Sequence, residues 1–122
     1  MSAPTIAQDA ALEALRSGEP DVERMVAEYD RRRRMVVERL GAIGLPVAEP
    51  RGAFYAFPRI AGTGLTSEDF TERLLFDHRV AVVPGDAFGP SGAGHVRMSL
   101  ATAYEQLETA LARIERFVGT LG

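Results

Sequence analysis

The spacing of apolar residues changes twice along this 122-residue chain, and that change limits the fold more than any other feature. Up to Ile43, apolar side chains recur every three or four residues, as they do on one face of a helix. Between Leu45 and Leu100 they mostly form short runs bounded by proline and glycine, which is typical of strands. After Thr102 the helical spacing returns. We therefore expect an α+β domain, with a small antiparallel or mixed β-sheet and helices packed on one face.

Two helices are predicted before the first strand. The first covers residues 3–16, where Thr5 is placed to cap its start and Gly18 to end it. The second runs from Pro20, a residue that favours the first helical position, to Ile43. Together they account for the N-terminal third of the chain.

Two later helices are each marked by a capping box. Thr66 precedes Asp69 and Thr102 precedes Glu105 by three residues, so each threonine hydroxyl can accept a hydrogen bond from the third amide of its helix. The first of these helices is expected to run to about Asp77. The second carries one apolar stripe, made of Leu107, Ala110, Leu111, Ile114 and Phe117.

Four short segments have the composition of strands, and one long loop is rich in glycine. Proline and glycine separate these segments and keep them short. The predicted strands are residues 45–49, 53–57, 80–83 and 95–100, and the loop is residues 85–94.

Missing residue types exclude several kinds of chemistry. There is no cysteine, so disulfides, thiolate metal sites and cysteine nucleophiles are impossible. All fourteen basic residues are arginine, so the chain has no lysine to form an imine with a carbonyl cofactor. Two histidines alone do not make a zinc site, and we expect no metal. No apolar run approaches the ~20 residues of a membrane span, so we expect a cytoplasmic protein without a membrane partner.

The run from Arg31 to Arg34 raises the question of nucleic-acid binding. Glu28, Asp30 and Glu38 each lie four residues from one of these arginines, which allows local charge pairing on a helix. The net charge of the chain is −3. We therefore interpret the run as a solvated helix face and expect no nucleic-acid partner.

Arg97 is the strongest candidate for a ligand-binding residue. It is flanked by Val96 and Met98 in a predicted strand, so its side chain must point away from the core. His95 and Ser99 share its polar face. A guanidinium on a rigid strand suits two parallel hydrogen bonds to a carboxylate. From the residues alone, an exposed strand arginine that binds no ligand explains the same pattern.

The two histidines and the glycine-rich loop have structural interpretations as well as functional ones. His95 could carry a proton, but no nucleophile or metal motif accompanies it, which favours a structural role. His78 lies at a helix end, where an imidazolium suits the helix dipole. The loop has no Walker lysine and no GxGxxG spacing, and a strand rather than a helix follows it, so it either lies near a ligand or simply connects two strands.

Taken together, the chain resembles the C-terminal small domain of the class I/II, fold-type I pyridoxal-phosphate-dependent aminotransferases, in particular the aspartate aminotransferase type. The resemblance rests on an ordered series of motifs over nearly the whole chain. These are Thr5–Gln8 with Ala10–Leu15, Tyr29 with Arg32, Arg33 and Leu40, Pro50–Tyr55, Val80–Gly85, Phe88–Gly89, and Gly94–Ser99.

The resemblance implies a division of labour between two domains. In the family, a lysine of the large domain holds pyridoxal 5'-phosphate as an imine, and an aspartate there pairs with the pyridine nitrogen. Residues 1–18 would be the connecting helix from that large domain, and residues 19–122 the small domain. Without the lysine, this chain alone should bind no cofactor and be inactive.

The same resemblance assigns residue roles and partners. Arg97 would bind the α-carboxylate of an amino acid or 2-oxo acid, and Gly52, Phe54 and Tyr55 would border the substrate pocket. The partners would be that small molecule, the large domain of the same enzyme and a second copy in a homodimer.

Two alternatives remain open from the sequence. The domain could belong to a lyase or synthase of the same fold, or to the aminotransferase-like effector domain of a transcription regulator. It could also be a stand-alone binding domain without catalysis.

Overall fold

The computed structural model describes residues 2–52 and 54–121, which divide into two compact units, residues 1–31 and 32–122. The fold is α+β, as the sequence predicts. Its helices and strands, in chain order, are α1 (Thr5–Ser17), α2 (Glu19–Ile43), β1 (Tyr55–Ala56), α3 (Ser67–His78), β2 (Val83–Pro84), β3 (Val96–Ser99) and α4 (Tyr104–Gly119). Short 3-10 turns cover Ala61–Thr63, Gly85–Phe88 and Pro90–Gly92.

The first unit consists of α1 and the beginning of α2. The predicted cap at Thr5 is wrong, because Pro4 occupies the N-cap position and Thr5 is already helical. The predicted stop is confirmed, since the Gly18 amide donates to the Ala14 carbonyl at 2.9 Å. No described residue of α1 is buried, and Leu15 is 88% exposed.

In the second unit, the core lies between the sheet and its helices. The last part of α2 contributes Val36 and Leu40, and α2 ends before Gly44, whose φ of +86° favours glycine. The predicted stripe of α4 is buried apart from the partly exposed Ala110. Other core side chains are Leu45, Ile60, Phe70, Leu74, Val80, Val96, Met98 and Leu100.

The predicted cap of α3 is confirmed. The Thr66 hydroxyl accepts a hydrogen bond from the Asp69 amide at 3.1 Å and donates to the Asp69 carboxylate at 2.8 Å. The capping box of α4 is wrong, because the helix begins at Tyr104 and Ala103 is its N-cap, without a side-chain hydrogen bond. Thr102 therefore lies one residue too early to cap it.

Replacing Thr66 by alanine is expected to destabilise the chain by about 1 kcal/mol, because an amide at the start of α3 loses its acceptor. The melting temperature should fall by about 4 °C. Thr66→Ser keeps the hydroxyl and should stay within about 1 °C of the wild type. Equal melting temperatures for the alanine and serine variants would show that the cap contributes nothing.

The sheet has three antiparallel strands in the order β1-β3-β2. In register, Tyr55 lies opposite Ser99 and Val83 lies opposite Arg97. Each strand is shorter than predicted, and prolines explain where two of the strands end. Pro58, which has no amide hydrogen, follows β1, and Pro84 ends β2.

The predicted strand at residues 45–49 is wrong. Leu45 is buried, but none of the five residues joins the sheet. Pro46 interrupts the segment, and its carbonyl instead accepts a hydrogen bond from the Arg59 amide at 2.8 Å. Residue 53, the first of the predicted strand 53–57, lies outside the described residues. None of the helices in the described part of the chain is long and apolar enough to cross a bilayer.

Candidate functional site

Arg97 lies on the central strand of the sheet and faces away from the core. Its neighbours Val96 and Met98 are 1% and 7% exposed, whereas Arg97 is partly exposed and Ser99 is exposed. This alternation is the one predicted from the sequence. Because β1 and β2 are paired with β3 on its two sides, side chains from both neighbouring strands can approach the guanidinium.

Two aromatic rings contact the Arg97 guanidinium. Its Cζ lies 4.2 Å from the centre of the Tyr55 ring and 4.4 Å from the centre of the Phe88 ring. Such contacts each stabilise a cation by roughly 0.5–2 kcal/mol. Within residues 2–52 and 54–121, no hydrogen bond or ion pair engages this guanidinium. The cation is therefore held by rings, and its N–H groups are available to an external acceptor.

Phe88 belongs to the loop that joins β2 to β3. The Gly85 amide donates to the His95 carbonyl at 2.8 Å, which closes the loop at its base. The backbones of Gly85 and Gly92 approach so closely that a Cβ on either would collide with the carbonyl oxygen of the other. This compact loop turns back beside Arg97 and carries Phe88, which is 51% exposed.

A second layer of ring contacts supports Phe88. Phe57 meets it edge to face at 6.4 Å between ring centres, and Phe57 also stacks on His95 at 5.2 Å with an angle of 10°. The His95 Nδ1 lies 3.0 Å from the Ala93 carbonyl oxygen, which can only accept, so this nitrogen is the donor. We call Tyr55, Phe57, Phe88, His95 and Arg97 the Arg97 cluster.

The structure brings some of the predicted site residues together and leaves one apart. Tyr55 contacts Arg97 directly. Phe54 touches Tyr55, with ring centres 4.6 Å apart, and its carbonyl accepts a hydrogen bond from the Leu100 amide at 2.7 Å. Gly52 is exposed, and nothing lies within 4 Å of the position a Cβ would take there.

Phe88 is the member of the site that residue-by-residue reasoning misses. It stands in a glycine-rich loop, and no periodic pattern assigns its side chain to a face. The available signal is the hairpin itself. If segments 80–83 and 95–100 pair as antiparallel neighbours, the loop between them must return to the start of the second strand, close to Arg97.

The structure also refines the interpretation of the other charged candidates. Arg31 pairs with Glu28 at 2.9 Å, as a solvated helix face requires. Arg32 and Arg33 do not fit that description, because both are partly buried and make long-range contacts. Arg32 donates to the Leu100 carbonyl at 3.3 Å and Arg33 pairs with Glu49 at 2.9 Å. His78 lies at the end of α3, where its ring contacts the Phe117 ring at 5.1 Å between centres.

The chemistry available at the Arg97 cluster is recognition of an anion. A guanidinium presents two parallel N–H groups that match the two oxygens of a carboxylate. The rings contact it without accepting those hydrogen bonds, and the surface beside it is aromatic, since Tyr55 is 39% exposed and Phe57 is 37% exposed. The described residues therefore place a guanidinium with free hydrogen-bond donors among partly exposed aromatic rings.

Residues 1–114 match the family described as aminotransferase class I and II. The chain is 55% identical to an aspartate aminotransferase of Pyrococcus abyssi over 114 residues, which cover 92% of this chain and 29% of that protein. It is 52% identical to an aromatic-amino-acid aminotransferase of Thermococcus litoralis, with the same coverage of each chain.

Solved structures agree with these relatives. An aromatic aminotransferase from Pyrococcus horikoshii is similar with a TM-score of 0.89 and 54% identity, covering 93% of this chain and 31% of that one. An aspartate aminotransferase from Thermus thermophilus with maleate has a TM-score of 0.86 and 43% identity, covering 94% of this chain and 30% of that one. The chain thus spans about three tenths of the relatives it matches.

Proposed function

The chain belongs to the class I and II aminotransferase family, and we propose that it is the small domain of an enzyme that transfers an amino group between an amino acid and a 2-oxo acid. Within that enzyme, Arg97 binds the α-carboxylate of the substrate. The observation that carries this proposal is the Arg97 guanidinium itself, partly exposed between two rings and without a hydrogen-bonding or ionic partner in the described part of the chain.

A relative adds support for a carboxylate ligand. The Thermus aspartate aminotransferase carries maleate, a dicarboxylate, in its structure, and this chain is 43% identical to it. A planar guanidinium binds a carboxylate through two charge-assisted hydrogen bonds, which fix its orientation as well as its position. Binding both substrates through a group that does not react leaves their α-carbons in one place for the chemistry.

The aromatic surface beside Arg97 forms one wall of the proposed pocket. Tyr55 contacts the guanidinium and Phe54 contacts Tyr55, so both can border a substrate held by Arg97. Gly52 precedes them in the exposed turn and offers backbone rather than a side chain. We assign these three residues to the pocket wall and give them no role in the chemical step.

The cofactor of this family does not fit the residues present here. Pyridoxal phosphate supplies the aldehyde that carries the amino group, and a lysine amine must hold it. This chain has fourteen arginines and no lysine, so no side chain here can do so. We propose that residues of a separate large domain hold the cofactor and that the 122-residue chain alone transfers no amino group.

The exposed apolar residues of the first unit support a partner for this chain. Ile6 is 80% exposed and Met25 is 59% exposed, although both are large apolar side chains on helices. We propose that residues 1–18 connect to the large domain and residues 19–122 form the small domain. The assembled enzyme is a homodimer in this proposal.

Transfer of an isotopically labelled amino group tests the proposed function. The full-length protein, supplied with pyridoxal phosphate, should move ¹⁵N from an amino acid to an unlabelled 2-oxo acid, and mass spectrometry should detect the labelled product. Release of the label as ammonia would instead indicate a lyase. DNA binding without transfer would indicate a regulator, and ligand binding by the chain without any turnover would indicate a stand-alone binding domain.

A further inference from the structure

The Arg97 guanidinium is held in place by aromatic rings from both sides of its strand. Tyr55 belongs to β1 and Phe88 to the loop after β2, and β3 lies between these two strands. Their ring centres lie 4.2 Å and 4.4 Å from the Arg97 Cζ. Residues far apart in the chain are therefore brought to one cation by the order of the sheet.

We propose that Tyr55 and Phe88 are positioning residues for Arg97, which hold its guanidinium ready for a carboxylate before the substrate arrives. This inference rests on the proposed function, in which Arg97 binds the substrate α-carboxylate. Neither ring is given a part in the chemical step. Their effect is exerted through Arg97.

Ring contacts suit this task because they leave the hydrogen-bond donors unused. The Cζ lies over both rings, and aromatic carbons accept no conventional hydrogen bond, so the N–H groups remain available as donors. A carboxylate or carbonyl partner would hold the side chain equally well but would compete with the ligand. No described residue provides such a partner.

Holding the side chain in advance favours binding. An arginine has several rotatable bonds, and ordering it on binding costs conformational entropy. Contacts made in the empty protein remove part of that cost. Loss of the rings should therefore weaken carboxylate binding without altering the reaction of the bound substrate.

Phe88 is itself fixed by the fold. Its ring is supported by Phe57, which stacks on His95, and its loop is closed by the approach of Gly85 to Gly92. Yet Phe88 and Tyr55 remain 51% and 39% exposed. Neither ring belongs to the core, and the Arg97 guanidinium is a contact that both rings share.

The test compares variants that remove a ring with variants that keep it. In the full-length enzyme, Phe88→Leu and Tyr55→Leu should each raise KM for the 2-oxo acid about five- to tenfold and leave kcat within about twofold. Phe88→Tyr keeps a ring beside the guanidinium and should return KM most of the way to the wild-type value. Phe76→Leu is the matched control, because Phe76 is 76% exposed on α3 and has no ring or cation contact within the described residues.

A spectroscopic measurement separates this inference from the proposed function. In the 122-residue chain without ligand, the Arg97 Nε–Hε resonance should be displaced by ring currents, and each leucine variant should return it towards the position of a solvated arginine. A wild-type resonance at the position of a solvated arginine would overturn the positioning role, even if the variants changed KM as expected. This measurement needs no substrate, and its wild-type result does not depend on whether any variant folds.

The kinetic outcomes are equally distinct. If Arg97→Ala raises KM while both leucine variants leave it unchanged, the proposed function stands and the positioning role is wrong. If the leucine variants lower kcat instead of raising KM, the rings act otherwise than through carboxylate binding. That result also overturns the inference. If Arg97→Ala lowers kcat/KM by less than tenfold, the proposed binding of the α-carboxylate by Arg97 fails, while the resonance still reports whether the rings order the side chain.

Discussion

Replacing Arg97 by alanine in the full-length enzyme is expected to lower kcat/KM for 2-oxo acids by about 100- to 1,000-fold. Two hydrogen bonds to a charged group are lost; at the lower end of their usual range, about 1.5–2 kcal/mol each, the total loss of about 3–4 kcal/mol corresponds to that reduction in kcat/KM. Steady-state kinetics with one amino acid and one 2-oxo acid measure this change in kcat/KM.

Arg97→Lys is the informative control. It restores the positive charge without the planar fork, so about a tenfold recovery over the alanine variant is expected. Arg97→Ala also loses the two ring contacts of the guanidinium, so its melting temperature should fall by at least about 4 °C, whereas Arg97→Lys keeps a cation and should fall less. A reduction of less than tenfold for Arg97→Ala would mean that the carboxylate binds elsewhere.

Replacing Gly85 or Gly92 by alanine is expected to cause the largest loss of stability. A Cβ at Gly85 would collide with the Gly92 carbonyl oxygen and lie 2.7 Å from the His95 carbonyl oxygen. These are backbone atoms that cannot rotate away, so we expect a loss of about 2–4 kcal/mol and a fall in melting temperature of about 8–15 °C.

Gly62→Ala is the matched control for these variants. No heavy atom lies within 4 Å of the Cβ position at Gly62, and its φ is not positive. Its stability should change by less than about 0.5 kcal/mol. If Gly85→Ala and Gly62→Ala melted at the same temperature, the close approach of the two loop segments would not be part of the native fold.

These expectations show which parts of the fold follow from local sequence. The start of α3 is predictable because its signal, Thr66 with Asp69, acts within one helical turn. The start of α4 is not, although Thr102 and Glu105 have the same spacing. Helix ends vary by one or two residues even where a capping pattern is present, and here Ala103 takes the N-cap position instead of Thr102.

In the candidate site, too, some features follow from local sequence and others do not. The outward direction of Arg97 follows from alternation along one strand, which Val96 and Met98 fix by being buried. The position of Phe88 depends on the pairing of two strands and on the close approach of Gly85 to Gly92, neither of which is a local property. Met25 is 59% exposed although apolar residues recur at helical spacing around it, so spacing alone does not decide burial.

The most direct test of the central claim is a double-mutant cycle between Arg97 and the substrate carboxylate. The wild-type enzyme and the Arg97→Ala variant are each assayed with an amino acid and with its α-carboxamide. If Arg97 binds the α-carboxylate, the carboxamide should lower kcat/KM of the wild type at least about 30-fold more than that of the variant, a coupling of about 2 kcal/mol. An equal loss in both enzymes would show that Arg97 and the α-carboxylate do not interact.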